Sequence, residues 1–108
     1  MTAPERPGPE RPGPERTADG RYIIVGGRRW RAMDPELPDR LTEPLKSALG
    51  SARSRIRTAP NDAAREALRD RVQLAKEGLG ERGTAWWELD RDARLARAED
   101  RLRRLDDA

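Results

Sequence analysis

Arg21-Tyr22-Ile23-Ile24-Val25-Gly26-Gly27-Arg28-Arg29-Trp30-Arg31-Ala32 decides the fold, because it is the only stretch that reads as strand. Two short runs flank Gly26-Gly27, and adjacent glycines supply the positive-φ positions that a tight two-residue hairpin turn requires. Such a loop pairs Val25 with Arg28, Ile24 with Arg29, Ile23 with Trp30 and Tyr22 with Arg31. Paired residues share a face of the ladder. One face therefore carries Ile23, Val25, Trp30 and Ala32 and is expected to be core; the other carries Tyr22, Ile24, Arg29 and Arg31. A lone hairpin is marginal in water, so the apolar face has to pack on helices.

The rest of the chain supplies them. Apolar residues recur at Leu41, Leu45, Ala48, Leu49, Ala52 and Ile56 with helical spacing. Pro44 would kink a helix begun at Asp34 or Leu37, whereas Thr42 as N-cap puts it in the first turn, so a short turn from Pro35 and a regular helix from about Thr42 are expected. Gly50 weakens the middle of that helix and reads as a close helix contact. Ala59-Pro60-Asn61 breaks the chain, and Asn61 or Asp62 caps a second helix with Ala64, Leu68, Val72, Ala75 and Leu79 on one face, ended by Gly78 and Gly80. So short a linker makes the two helices antiparallel. Beyond Trp86-Trp87, with Asp90 as its cap, a third helix carries Leu95, Ala98, Leu102 and Leu105 in a narrow stripe resembling a coiled-coil seam.

Upstream of the hairpin, Pro4-Glu5-Arg6-Pro7-Gly8 repeats as Pro9-Glu10-Arg11-Pro12-Gly13 and begins again at Pro14-Glu15-Arg16. Nothing there is apolar enough to offset ordering entropy, so residues 1–20 are expected to be a disordered tail. The expected organisation is therefore that tail, a hairpin plus helical-hairpin domain over 21–88, and an amphipathic helix over 89–108. The class is α+β, mostly α.

Composition sets limits on function. Leu, Ile and Val together number 16 of 108 residues and Phe is absent, so the core is thin, while a net charge of only +3 argues against a wholly disordered chain. Burying a Leu or Trp stabilises by about 1.5–3 kcal/mol, which leaves such a monomer marginal and makes self-association or a partner helpful. The chain has no Cys and no His, which removes thiolate chemistry and the commonest general base. Ser47, Ser51 and Ser54 stand in no nucleophile motif, Asp90-Arg91-Asp92 and Asp106-Asp107 match no metal loop, and the glycines at 78–83 lack the Lys-Ser/Thr of a phosphate loop. No enzyme activity, cofactor or metal is expected. There is neither an apolar run near the length of a membrane span nor a signal-peptide core, so a cytoplasmic location without membrane association is expected.

Charge is uneven. Residues 21–57 hold nine basic and four acidic residues, whereas residues 58–108 hold eleven and twelve. Arg28, Arg29 and Arg31 around Trp30, with Arg53, Arg55 and Arg57 at the end of the first helix, have the composition of a phosphate-binding face. The plainer reading is a solvated basic face, because Trp30 lies on the expected core side and Arg near a helix C-terminus is favoured by the macrodipole without a ligand. Adjacent Trp86 and Trp87 cannot both point inward, so one is expected to cover the helices and the other to be a partner contact.

Arg21-Tyr22-Ile23-Ile24-Val25, Gly27-Arg28-Arg29-Trp30-Arg31-Ala32, Asp34-Pro35 with Pro38, Ala75-Lys76, Leu79-Gly80-Glu81-Arg82-Gly83 and Trp86-Trp87-Glu88 together resemble a family of small uncharacterised actinobacterial proteins often labelled biopolymer transporter Tol. The resemblance spans about residues 21–88 and brings no catalytic residues to carry over. Tol-type transport needs a membrane anchor or export, and neither is expected here. The leading expectation is a non-enzymatic protein that binds a protein partner or itself through Trp87, Leu95, Leu102 and Leu105. The alternative is nucleic-acid binding through Arg28, Arg29 and Arg31.

Overall fold

A computed structural model describes residues 15–107. In chain order these form strands β1 (Glu15–Arg16), β2 (Tyr22–Val25) and β3 (Arg28–Arg31), helices α1 (Asp39–Ile56) and α2 (Asp62–Leu79), a 3₁₀ turn at Trp86–Glu88, and helix α3 (Arg91–Asp107). The class is α+β and mostly α, as expected. Most of the proposed tail lies outside the described residues.

The hairpin has the register that Gly26-Gly27 dictates, with Tyr22, Ile23, Ile24 and Val25 opposite Arg31, Trp30, Arg29 and Arg28. Both turn glycines have positive φ, +58° and +80°, the type I′ geometry whose twist matches that of the strands. One strand was not expected. Glu15 and Arg16 pair with Ile24 and Ile23 to give an antiparallel sheet in the order β1-β2-β3. A side-chain turn makes this possible: Thr17 Oγ1 donates to Asp19 Oδ1 and accepts from the Tyr22 amide, while Asp19 Oδ1 also accepts from the Arg21 amide. Thr and Asp in such turns compete with disorder by satisfying backbone donors locally.

The three helices enclose one core of Leu37, Leu41, Leu45, Leu49, Ala75, Leu79, Ala98 and Leu105. Leu45 of α1 lies against Gly78 near the end of α2, so these helices run antiparallel. Arg71 of α2 donates to the Leu105 carbonyl and Glu77 meets Arg101, so α2 and α3 are antiparallel too. Where α1, α2 and α3 meet, Gly78 lets them approach closely: a Cβ there would fall 2.9 Å from Leu45 Cδ2 and 3.2 Å from Arg101 Cβ, so those side chains would have to shift. The close contact expected at Gly50 is at Gly78 instead, since nothing lies within 4 Å of a Cβ built at Gly50.

Helix α1 starts earlier than its sequence suggests. Pro38 is the N-cap, its carbonyl accepting from the Leu41 and Thr42 amides, and Pro44 sits inside the helix. Pro44 leaves the Arg40 carbonyl without its intrahelical donor. The earlier start is favoured because Leu41 and Leu45, one helical turn apart on either side of Pro44, both enter the core. The starts of α2 and α3 are as expected, with Asn61 accepting from the Ala64 amide and Asp90 from the Ala93 amide, but Gly78 lies inside α2 and only Gly80 ends it. After α2, Gly80 at φ +93° closes a Schellman motif, with the Glu81 amide on the Lys76 carbonyl and the Gly80 amide on that of Glu77. Among the described residues no helix is long and apolar enough to cross a membrane.

Candidate functional site

The sheet is fastened to the helices at its base, and above the base an open groove lies between Ile23, Val25 and Trp30 and the Arg53 and Lys76 side chains of α1 and α2. The base is fastened by groups distant in sequence. Trp86 is buried and its Nε1 donates to the Ala32 carbonyl at 3.0 Å, while the Asp34 amide donates to the Leu79 carbonyl at 2.9 Å. Asp34, 2% exposed, receives Arg94 in a two-pronged ion pair, Nε to Oδ2 at 2.8 Å and an NH2 to Oδ1 at 2.6 Å. Its Oδ1 also accepts from the Glu36 amide. The Arg94 guanidinium lies 5.1 Å from the Trp86 ring centre and reaches Glu36 at 3.1 Å. Hydrogen bonding to Asp34 raises the pKa of Arg94 and outweighs its partial burial. Gly80 makes room: a Cβ there would lie 3.1 Å from Trp86 Cδ1 and 3.2 Å from Asp34 Cβ.

A second fastening is aromatic. Trp87 stands edge-on to Trp86 at 5.1 Å and to Tyr22 at 5.5 Å, and the Arg21 and Arg31 guanidinium groups lie 4.8 and 5.8 Å from its ring centre. Arg31 also donates to the Gly83 carbonyl at 2.7 Å. Trp87, expected as a partner contact, is half-buried and spent on holding the sheet. The other members of that expected surface are also occupied. Leu105 is 3% exposed within the core, and Leu95 and Leu102 pack against it. The stripe on α3 is therefore an internal face. Its narrowness resembles a seam, but Ala98 and Leu105 complete the core that α1 and α2 begin.

The opposite correction applies to the hairpin. Val25 and Trp30, assigned to the core, are 48% and 38% exposed, while Ala32 at the base is buried. Pairing across a turn fixes which residues share a face but not how far that face reaches over the helices. With Ile23, these two side chains form the apolar wall of an open groove of about 480 Å³, whose remaining lining is Arg31, Arg53, Lys76, Glu81 and Arg82. The exposed tryptophan is thus Trp30, neither member of the Trp86-Trp87 pair.

No family model, curated protein or solved structure matches the chain. Geometry and charge are what describe the site.

The charge at the groove is one-sided. Some cations on the helices are paired, Arg40 with Glu99, Arg65 with Asp62, Arg94 with Asp34 and Glu36, and Arg101 with Glu77 and Asp100. Around the groove, among the described residues, Arg53, Lys76 and Arg82 make no ion pair. Burial, reinforced by Arg82 and Arg53 alongside, holds the Lys76 ammonium below its ordinary value, and Glu81 only partly opposes this. On the strands, Arg28 stacks on Trp30 at 4.7 Å and Arg29 on Tyr22 at 4.3 Å. Such stacking uses the flat face of the guanidinium and leaves its edge donors available. Arg28, Arg29 and Arg31 are therefore brought near one another but not onto one surface: Arg28 shares the Trp30 side, while Arg29 and Arg31 share the Tyr22 side. An apolar wall bordered by Arg31, Arg53, Lys76 and Arg82 against the single carboxylate of Glu81 can hold an anionic group that carries apolar side chains.

Proposed function

We propose that this protein is a non-enzymatic binding module that recognises a protein partner through the hairpin and the groove beneath it. The exposure of Val25 and Trp30 beside the unpaired cations Arg53, Lys76 and Arg82 is the observation that carries the reading. Two exposed apolar side chains on one short strand pair favour an apolar partner surface. Lys and Arg without carboxylate partners favour an acidic one, and attraction of this kind raises association rates as well as specificity. Kinship with the small actinobacterial proteins that the chain resembles, and a cytoplasmic place of work, belong to the same proposal and rest on the sequence.

The test is capture of partners from native cell extract by the intact chain and by Val25→Ser/Trp30→Ser, each with and without nuclease. A specific protein retained by the intact chain, lost by the variant and unaffected by nuclease is expected. Equal retention by both chains would refute the reading.

Nucleic-acid binding through Arg28, Arg29 and Arg31 is the second reading, favoured by the stacking of Arg28 on Trp30 and Arg29 on Tyr22. It requires retention of duplex or single-stranded nucleic acid that weakens steeply with salt. Arg29→Ala/Arg31→Ala would then weaken binding, and no salt-sensitive retention would exclude it.

A further inference from the structure

We infer that the partner docks as an additional strand on the β3 edge, as an extended segment in which acidic and apolar residues alternate; this rests on the protein-binding reading above. The first ground is the ladder. In the register closed by Gly26-Gly27, Val25 exchanges hydrogen bonds with Arg28 and Ile23 with Trp30, and the Ala32 amide continues the series by donating to the Arg21 carbonyl at 2.9 Å. The intervening residues Arg29 and Arg31 consequently turn their N–H and C=O groups away from β2. The sheet order makes β3 an edge, and no partner for those backbone groups occurs among the described residues. An edge of this kind is a template for one more strand.

The side chains along that edge select what the strand contains. In an antiparallel addition, the residues directly opposite Arg29 and Arg31 exchange backbone hydrogen bonds with them and share their face, so a carboxylate opposite Arg29 meets its guanidinium and one opposite Arg31 meets the donors that Arg31 does not give to the Gly83 carbonyl. The residue between them falls on the other face, beside Trp30 and next to the groove wall of Ile23 and Val25, where an aliphatic side chain fits. A second copy of β3 is the wrong occupant, since it would bring Arg against Arg. Charged edges commonly prevent strand addition. Here the charges are all of one sign, so they repel a like strand and attract an acidic one.

The experiment uses the full chain and a fluorescent peptide alternating Glu and Val, long enough to span Arg28–Arg31, with binding read by anisotropy. Two further peptides carry N-methyl groups, one on its Glu residues and one on its Val residues. If Glu residues face Arg29 and Arg31, methylating them removes the donors that pair with β3, whereas methylating Val touches amides that point to solvent. The expected result is a loss of affinity of about tenfold or more for the Glu-methylated peptide and little change for the Val-methylated one. Arg29→Glu should weaken the Glu-Val peptide and admit a Lys-Val peptide in its place.

Equal binding of both methylated peptides would overturn strand addition. If that binding still required Val25 and Trp30, the groove reading would stand without it. A single-stranded oligonucleotide that displaced the peptide and bound more tightly would overturn both. Self-association of the chain without peptide, abolished by Arg29→Glu, would overturn the choice of an acidic occupant.

Discussion

Replacing Arg94 with Met should be among the most damaging single changes on the surface of α3, although Arg94 belongs to neither the apolar core nor the groove. Asp34 is 2% exposed, and two of its three hydrogen bonds come from Arg94. Met preserves an apolar stem over Trp86 but leaves the carboxylate with one backbone donor. Removing one member of a buried pair typically costs about 3–5 kcal/mol, chiefly as the penalty on the charge left behind. Arg94 retains some solvent contact and Glu36 shares it, so about 3 kcal/mol is the appropriate end of that range. For a domain of this size that corresponds to a fall in Tm of about 10–20 °C. Urea unfolding followed by circular dichroism measures it, and the second arm of the experiment identifies the cause. Asp34→Asn should cost less than Arg94→Met, because the freed guanidinium still has Glu36. Asp34→Asn/Arg94→Met should be more stable than Arg94→Met alone. If Arg94→Met lies within about 0.5 kcal/mol of the parent chain, the level expected of ordinary surface changes, the ion pair does not fasten the sheet.

Three further outcomes follow from the packing. Gly78→Ala should destabilise by about 1–3 kcal/mol despite the better helix propensity of Ala, because its Cβ would meet Leu45 at 2.9 Å; Gly50→Ala, in open space, should stabilise by about 0.5–1 kcal/mol, and thermal melts of the two should move in opposite directions. Leu105→Ala should cost about 2–5 kcal/mol while Val25→Ser changes stability little, the reverse of what a solvent-facing seam and a buried hairpin would give; chemical denaturation compares them. Acid should weaken the α2–α3 contact. Burial pushes the Glu77 carboxyl up, but hydrogen bonds from Arg101 and Gln73 prevail and hold it below its ordinary 4.5. A carboxyl depressed in the folded state contributes stability that is complete above its unfolded pKa and is lost as pH falls through the folded one. The urea midpoint should therefore decline below about pH 4.5, and less steeply in Arg101→Met.

What could be read from the sequence was whatever a few neighbouring residues decide. Gly26-Gly27 fixes the hairpin register, Asn61 and Asp90 mark two helix starts, and the apolar periodicity of α1 and α2 locates the core. The misreadings share a cause. Pro44 is a helix breaker only until Leu41 and Leu45 are both required by the core. Periodicity identifies the α3 stripe and the hairpin's apolar side as faces, but what covers a face depends on how elements are placed in space. The pair Asp34–Arg94 joins residues sixty apart and leaves no local signature. For the same reason the groove could not be foreseen: Arg53, Lys76 and Arg82 come from three separate segments, and only the turn of the sheet over α1 and α2 brings Trp30 to them.

The sheet is anchored at Ala32 and Asp34 and has nothing packed against Gly26-Gly27, so it should behave as a separate cooperative unit in hydrogen exchange. Its ladder amides should open in local events that leave α1, α2 and α3 intact, at a free energy below that of global unfolding. To the extent that the arm unzips, the apparent affinity for a ligand that requires the zipped form falls with the fraction of zipped protein. Residues that only tighten the arm, such as Thr17 and Asp19 in the β1–β2 turn, would then govern how strongly a partner is held without ever touching it.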